Sequence, residues 1–359
     1  MQFVHDVPGS RVVFGAGRRR ELAAELDRLA LTRPLLIADP GSKAGEELSD
    51  LLAPVLVGRF DEVVMHVPAE VAARAVDAAR AAGADSVVVV GGGSAIGTAK
   101  AIAKDTHLPI LAVPTTYAGS EMTPIWGITS DRLKTTGRDP HVLPRVVVYD
   151  PELTVSLPPG LSAASGMNAL AHLVEGLYAP EVSPLAVLTA QDGIRALVVG
   201  LPRVVTDPTD LDARAEVTYG AWLAGWTLGT TGMGVHHKVC HTLGGTYDLP
   251  HAPSHSAVIP YALAANAHAA PAAMAAIAAA FRAAGRDVDH AAGAVWDLRH
   301  EIGAPESLSA LGFPADQIDP AADIVVRGRP VNPRPVDHAC AHAVLAGARA
   351  GARPAGYLP

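Results

Sequence analysis

Cysteine is scarce: Cys240 and Cys340 are the only two in a chain of 359 residues. Two thiols cannot build a disulfide framework, so stability must come from a packed core, and the pair reads as reduced thiols in a cytoplasmic protein. Positive charge is short as well. Lys and Arg number 28 against 36 Asp and Glu, a net charge of −8, which argues against nucleic acid or an anionic membrane surface as the main partner. Aromatic residues are 4% and charged residues 18%, but 49% are hydrophobic, a globular balance that excludes a mostly disordered chain. No run of about 20 purely apolar residues occurs. Asp6 and Pro8 stand where the apolar part of a secretory signal would lie. At about 150 residues per domain, the length suggests two domains.

What is present divides near residue 155. In 1–155, short β-branched runs (Arg11–Phe14, Leu35–Ala38, Ser86–Val90, Ile110–Val113, Arg145–Tyr149) alternate with helical stretches at Arg18–Leu29, Gly41–Leu52, Ala69–Ala82 and Ser94–Lys104. Strands separated by helices of this length predict βαβ units and a parallel sheet. The unbroken apolar runs suit strands buried on both faces. In 156–359, Ala- and Leu-rich patterns (Leu161–Tyr178, Pro184–Val199, Asp210–Leu228, Val235–Leu243, Pro271–Ala284, Asp337–Ala348) predict a helical domain. The proline-rich stretch 313–336 reads as loop.

Three features sit at predicted strand ends. Val87–Val90 runs into Gly91-Gly92-Gly93-Ser94, where glycines let the backbone approach a phosphate and a helix N-terminus supplies N–H donors, with Ser94 placed to cap the helix. Val113 leads into Pro114-Thr115-Thr116-Tyr117-Ala118-Gly119-Ser120, and Ala38 into Asp39, a carboxylate suited to ribose hydroxyls and hostile to a 2′-phosphate. Each occurs elsewhere without a ligand; together they point to a dinucleotide, NADH in preference to NADPH.

Histidine is concentrated. His236, His237, His241, His251 and His255 fall within twenty residues, and the i,i+4 spacing of His237 and His241 is repeated by Asn168 and His172. Imidazoles in such a pattern serve divalent metals or polarised carbonyl groups.

These motifs together resemble the iron-containing alcohol dehydrogenase family, from Val12-Val13-Phe14-Gly15 to Pro335. Longer stretches resemble one branch, the maleylacetate reductases: Thr115–Gly127, Lys134-Thr135-Thr136-Gly137-Arg138-Asp139-Pro140, Ser165-Gly166-Met167-Asn168-Ala169, His236–Gly245 and Asn332-Pro333-Arg334-Pro335. The resemblance implies a dehydroquinate synthase-like fold, an α/β dinucleotide-binding domain followed by an all-α domain that completes an active-site cleft. It implies reduction of the conjugated C=C of maleylacetate to 3-oxoadipate in aromatic-compound catabolism, by a homodimer that takes a small dicarboxylate.

By the same resemblance, Gly91, Gly92, Gly93 and Ser94 hold the pyrophosphate, Thr115, Thr116 and Ser120 line the adenosine side, and Lys134 reaches the nicotinamide ribose. Metal-using members bind the ion with an aspartate and three histidines, here Asn168, His172, His237 and His251. An amide in place of a carboxylate removes a full negative charge from the ligand set, so a metal is not expected to be required. His237 and His251 become candidates for stabilising an enolate and supplying a proton. Lys238, Arg138 and His172 become candidates for the substrate carboxylates, although Lys238 and Arg138 also read as ordinary surface cations. Three other readings remain: a metal-dependent alcohol or polyol dehydrogenase of the same family, a lyase on the dehydroquinate synthase architecture, for which the helical half lacks a phosphate-binding cluster of Arg and Lys, and a non-catalytic NAD-binding relative.

Overall fold

The structure, a computed structural model, describes residues 3, 5–6, 9–130, 133–180 and 182–358. It divides into two compact units, Val7–Leu157 and Met1–Asp6 with Pro158–Pro359. His5 thus goes with the helices, not with the sheet as its sequence position suggests. Its Nδ1 lies 3.0 Å from Ser183 Oγ and its ring centroid 5.5 Å from that of Trp226.

The first unit is built on six parallel strands, β1 (Arg11–Phe14), β2 (Pro34–Ala38), β3 (Gly58–Phe60), β4 (Ser86–Gly91), β5 (Ile110–Pro114) and β8 (Val146–Tyr149), in the order β1-β8-β5-β4-β2-β3. Helices α1 (Leu22–Arg28), α2 (Lys43–Leu52), α3 (Ala69–Ala81) and α4 (Gly93–Thr106) link them. Every residue of β2, β4, β5 and β8 is buried, which is why these strands carry no polar alternation. On one face Val88, Val90, Leu111, Val113, Val146 and Val148 pack on Leu22, Leu26, Leu48 and Leu52 of α1 and α2.

An antiparallel hairpin, β6 (Ile125–Ser130) with β7 (Leu133–Arg138), was not foreseen. Strand β6 is only partly buried, Thr135, Thr136 and Arg138 of β7 are exposed, and Asp131-Arg132 is not one of the dipeptides that announce a two-residue turn.

The second unit is helical: α5 (Pro159–Leu177), α6 (Pro184–Thr206), α7 (Leu211–Thr230), α8 (Val235–Tyr247), α9 (His251–Asn266), α10 (Pro271–Ala283), α11 (Ala291–Glu301), α12 (Ile318–Arg327) and α13 (His338–Ala350). Glycines let α5, α6 and α7 close up. A Cβ on Gly166 would run into Leu201, and one on Gly220 would lie 2.8 Å from Leu197 Cγ. Helix α6 is long and apolar enough to cross a membrane by length and composition, yet it carries Gln191, Asp192, Arg195 and Arg203 and packs against α5, α7 and α10. Helix α12 lies where the sequence reads as loop. Its Pro320 falls in the first turn, where a missing N–H costs little, and Ala321, Ala322 and Val325 are buried.

Candidate functional site

Strands β2 and β4 are neighbours, but the chain continues outward from β2 to β3 and, from β4, the opposite way through β5 to β8. Such a reversal opens a crevice at the carboxyl ends of the strands, where open α/β sheets bind ligands. Asp39, the glycine turn and Thr115-Thr116 all stand there, because Ala38 pairs with Val90 and Gly91 with Pro114.

The first two glycines of the turn leave little room for a side chain. Gly91 has φ +152°, and a Cβ on it would lie 2.7 Å from both Ala95 Cβ and Asp39 Oδ2; one on Gly92 would lie 3.0 Å from Thr116 Cγ2. Burial pushes the Asp39 carboxyl above its ordinary pKa, and the nearby Gly92 amide works against that rise. Helix α4 begins one residue earlier than expected. Its cap is Gly92, whose carbonyl accepts from Ile96 N–H at 3.1 Å, and no side chain caps the first turn. Ser94 is therefore not the cap but the second residue of the helix; a glycine reaches the extended cap conformation without steric cost. An uncapped helix start with a glycine cradle suits the pyrophosphate of a dinucleotide, and the Asp39 carboxylate beside it suits ribose hydroxyls. The residues present fit NAD(H).

Beneath this loop lies a network that sequence reasoning missed. Lys100 of α4, 1% exposed, donates to the carbonyls of Ser120 (2.6 Å), Thr123 (2.7 Å) and Ile125 (2.7 Å) and to Thr123 Oγ1 (3.0 Å). Burial pushes its pKa down, while the buried Glu121 carboxylate pushes it back up. Glu121 in turn accepts from Tyr149 O–H at 2.8 Å. Ser120 is thus held through its backbone. Arg138 is exposed at the end of β7, opposite Ile125. Lys134 belongs to β7, but its side chain lies outside the described residues.

In the helical unit, α5, α8 and α9 assemble the histidines. Asn168, His172 and Glu175 follow i, i+4, i+7 and so share one face of α5. Helix α8 contributes His236, His237, Cys240 and His241, and α9 contributes His251 and His255. The His172 and His237 rings are 5.0 Å apart and nearly parallel. His255 is the hub. Its ring is 4.8 Å from His236 and His237 and 4.3 Å from His251, and its Nδ1 lies 2.9 Å from His236 Nε2. Burial, reinforced by neighbouring imidazoles, pushes His172, His236 and His255 well below the ordinary histidine pKa.

Glu175, absent from the sequence-level candidates, is 1% exposed and accepts from His237 Nδ1 through Oε2. Its signal was the spacing from His172. His251 is half-buried and 6.3 Å from His241. Lys238 stands apart from this group: its stem packs over Gly328, which ends α12, where a cation meets a helix C-terminus favourably.

These residues do not make a closed metal site at the family's positions. Asn168, an amide, stands where the resemblance to metal-using members expects a carboxylate. Among the described residues, the histidines, cysteines and acids whose ligand atoms lie within 4.8 Å of one another are instead His236, Cys240 and His255, of which His236 and His255 are already hydrogen-bonded to each other.

The iron-containing alcohol dehydrogenase model matches residues 9–151, and the C-terminal model of the Fe-containing alcohol dehydrogenase family matches 162–348. The maleylacetate reductase of Pseudomonas sp. strain P51 is 48% identical over 344 residues, 95% of this chain and 96% of the relative. The crystal structure of maleylacetate reductase from Agrobacterium tumefaciens superposes with a TM-score of 0.94 at 44% identity, covering 99% of this chain and 100% of that one. A 1,3-propanediol oxidoreductase structure aligns at a TM-score of 0.89 but 26% identity, covering 97% and 100%. With both halves matched in order, the chain belongs to the iron-containing alcohol dehydrogenase family.

Proposed function

We propose that this chain reduces the conjugated C=C bond of maleylacetate with NADH, giving 3-oxoadipate. The carrying observation is that full-length similarity to maleylacetate reductases, 48% in the case above, coincides with an amide, Asn168, where metal-using members place a carboxylate.

When bound, the reduced nicotinamide supplies a hydride to the alkene carbon β to the ketone. Gly91–Ser94 hold the pyrophosphate, and Asp39 accepts from the adenosine ribose. As the hydride arrives, the alkene's electron pair moves into an enolate, whose charge hydrogen-bond donors stabilise without a Lewis acid. His237 hydrogen-bonds the enolate oxygen through Nε2–H and keeps its proton, while His251 delivers the one proton that the carbon α to the ketone needs and regains it from solvent. By the family resemblance, His172 and Arg138 are the candidates for the substrate carboxylates. Lys238 drops out of this set, since Gly328 and the end of α12 account for it. The homodimer and the cytoplasmic location follow from the family resemblance; both cysteines are buried and free, as a reducing compartment would leave them.

The test is NADH consumption with maleylacetate, with and without a chelator. Turnover in both supports the reading. Turnover with an alcohol only, abolished by chelation and restored by iron or zinc, replaces it with the metal-dependent dehydrogenase.

A further inference from the structure

We infer that Glu175 is the positioning residue for His237: its buried carboxylate holds Nδ1 and thereby leaves Nε2 as the atom that meets the substrate. The inference rests on the catalytic reading of His237 above.

The geometry is that of one acid serving two neighbours on another helix. Oε2 accepts from His237 Nδ1, and Oε1 accepts from His236 N–H at 3.1 Å and from Tyr178 O–H at 3.4 Å. His236 N–H is among the first-turn amides of α8, whose cap, Gly234, provides no side chain. An acid at a helix N-terminus satisfies an orphan donor and meets the favourable end of the dipole. By capping the backbone of residue 236 and gripping the ring of residue 237, Glu175 fixes the imidazole relative to its own helix. His172 and His255 close on the ring at 5.0 and 4.8 Å. His237 Nε2 is buried with no hydrogen-bond partner among the described residues. A carboxylate that fixes one imidazole nitrogen orients the ring and decides which nitrogen faces the reaction. Among the described residues, the ion-pair partner of Glu175 is His237, and no Lys or Arg neutralises it.

The experiment is a double-variant cycle on the full chain, with Glu175→Gln, His237→Gln and both together, reading kcat for maleylacetate, NADH affinity by titration, and thermal unfolding. Glu175→Gln is expected to lower kcat by about 10- to 100-fold with NADH affinity unchanged, and the double variant to be no slower than His237→Gln alone. Nitrogen-15 spectra of labelled histidine should show His237 Nδ1 carrying a proton in the parent and carrying it less often in Glu175→Gln. A purely capping role would lower the unfolding temperature but leave kcat and the spectrum alone. Wild-type kcat in Glu175→Gln beside an inactive His237→Gln overturns the positioning role and leaves the reading of His237 intact. Losses that multiply in the double variant overturn it too. Wild-type turnover in His237→Gln overturns the reading on which the inference rests. If Glu175→Gln does not fold, Glu175→Asp keeps the charge and draws the carboxylate back by one methylene, and the same cycle with the same expected loss applies.

Discussion

Asp39 Oδ2 lies against Gly91, 2.7 Å from where a Cβ on that glycine would stand, across the gap between two strand ends. The acid that would choose the cofactor therefore also packs on the turn that would hold its phosphates. Asp39→Ser should narrow the preference for NADH over NADPH by roughly tenfold or more, since a hydrogen bond to a charged group is worth about 1.5–3 kcal/mol. It should weaken NADH binding at the same time. Fluorescence titration with both cofactors measures this. A parent enzyme that uses NADPH as well as NADH would sink it.

Gly91 combines φ +152° with no room for a Cβ. Gly91→Ala should destabilise the chain by about 1–3 kcal/mol and weaken NADH binding. Gly160, near the start of α5, has open space around it and serves as the control. Gly160→Ala should leave the melting temperature unchanged or slightly higher. Equal melting of both variants would show that the turn is not constrained as described.

The histidines should separate into two classes. His237→Ala and His251→Ala should each lose about 10²–10³ in kcat while still binding NADH. His255 lies outside the family's motif, and from sequence its loss should be milder. The structure buries it completely against His236, so the cost moves to stability. His255→Ala should lower stability by about 1–3 kcal/mol through the partner left unpaired, with a smaller effect on kcat. Thermal melts and steady-state rates distinguish the two classes. A kcat loss in His255→Ala as deep as in His237→Ala would place it in the chemistry.

Metal dependence can be tested from both directions. Chelated protein should retain its activity, with well under one metal per chain by elemental analysis. Asn168→Asp, which restores the missing charge, should raise affinity for iron or zinc. Loss of activity on chelation that either ion reverses would contradict this.

Much of the scaffold was legible because its determinants are local. Five strands showed as apolar runs, and the turn Gly91–Ser94 was visible because a strand, three glycines and a helix start are contiguous. The pairing of Asn168 with His172 follows from helical periodicity alone. The hairpin, α12 and the true start of α4 were hidden for equally local reasons: weak turn chemistry, a proline in a permitted position, and a glycine able to cap.

What sequence could not determine are the partners. Asp39 meets Gly91, Lys100 gathers carbonyls from residues 120–125, His255 bonds His236 nineteen residues away, and Glu175 holds His237 across 62 residues. A side chain's type and period state which face it occupies. Which atom it meets there depends on how close the glycines let neighbouring helices come and on how strands of distant sequence align, and packing decides both.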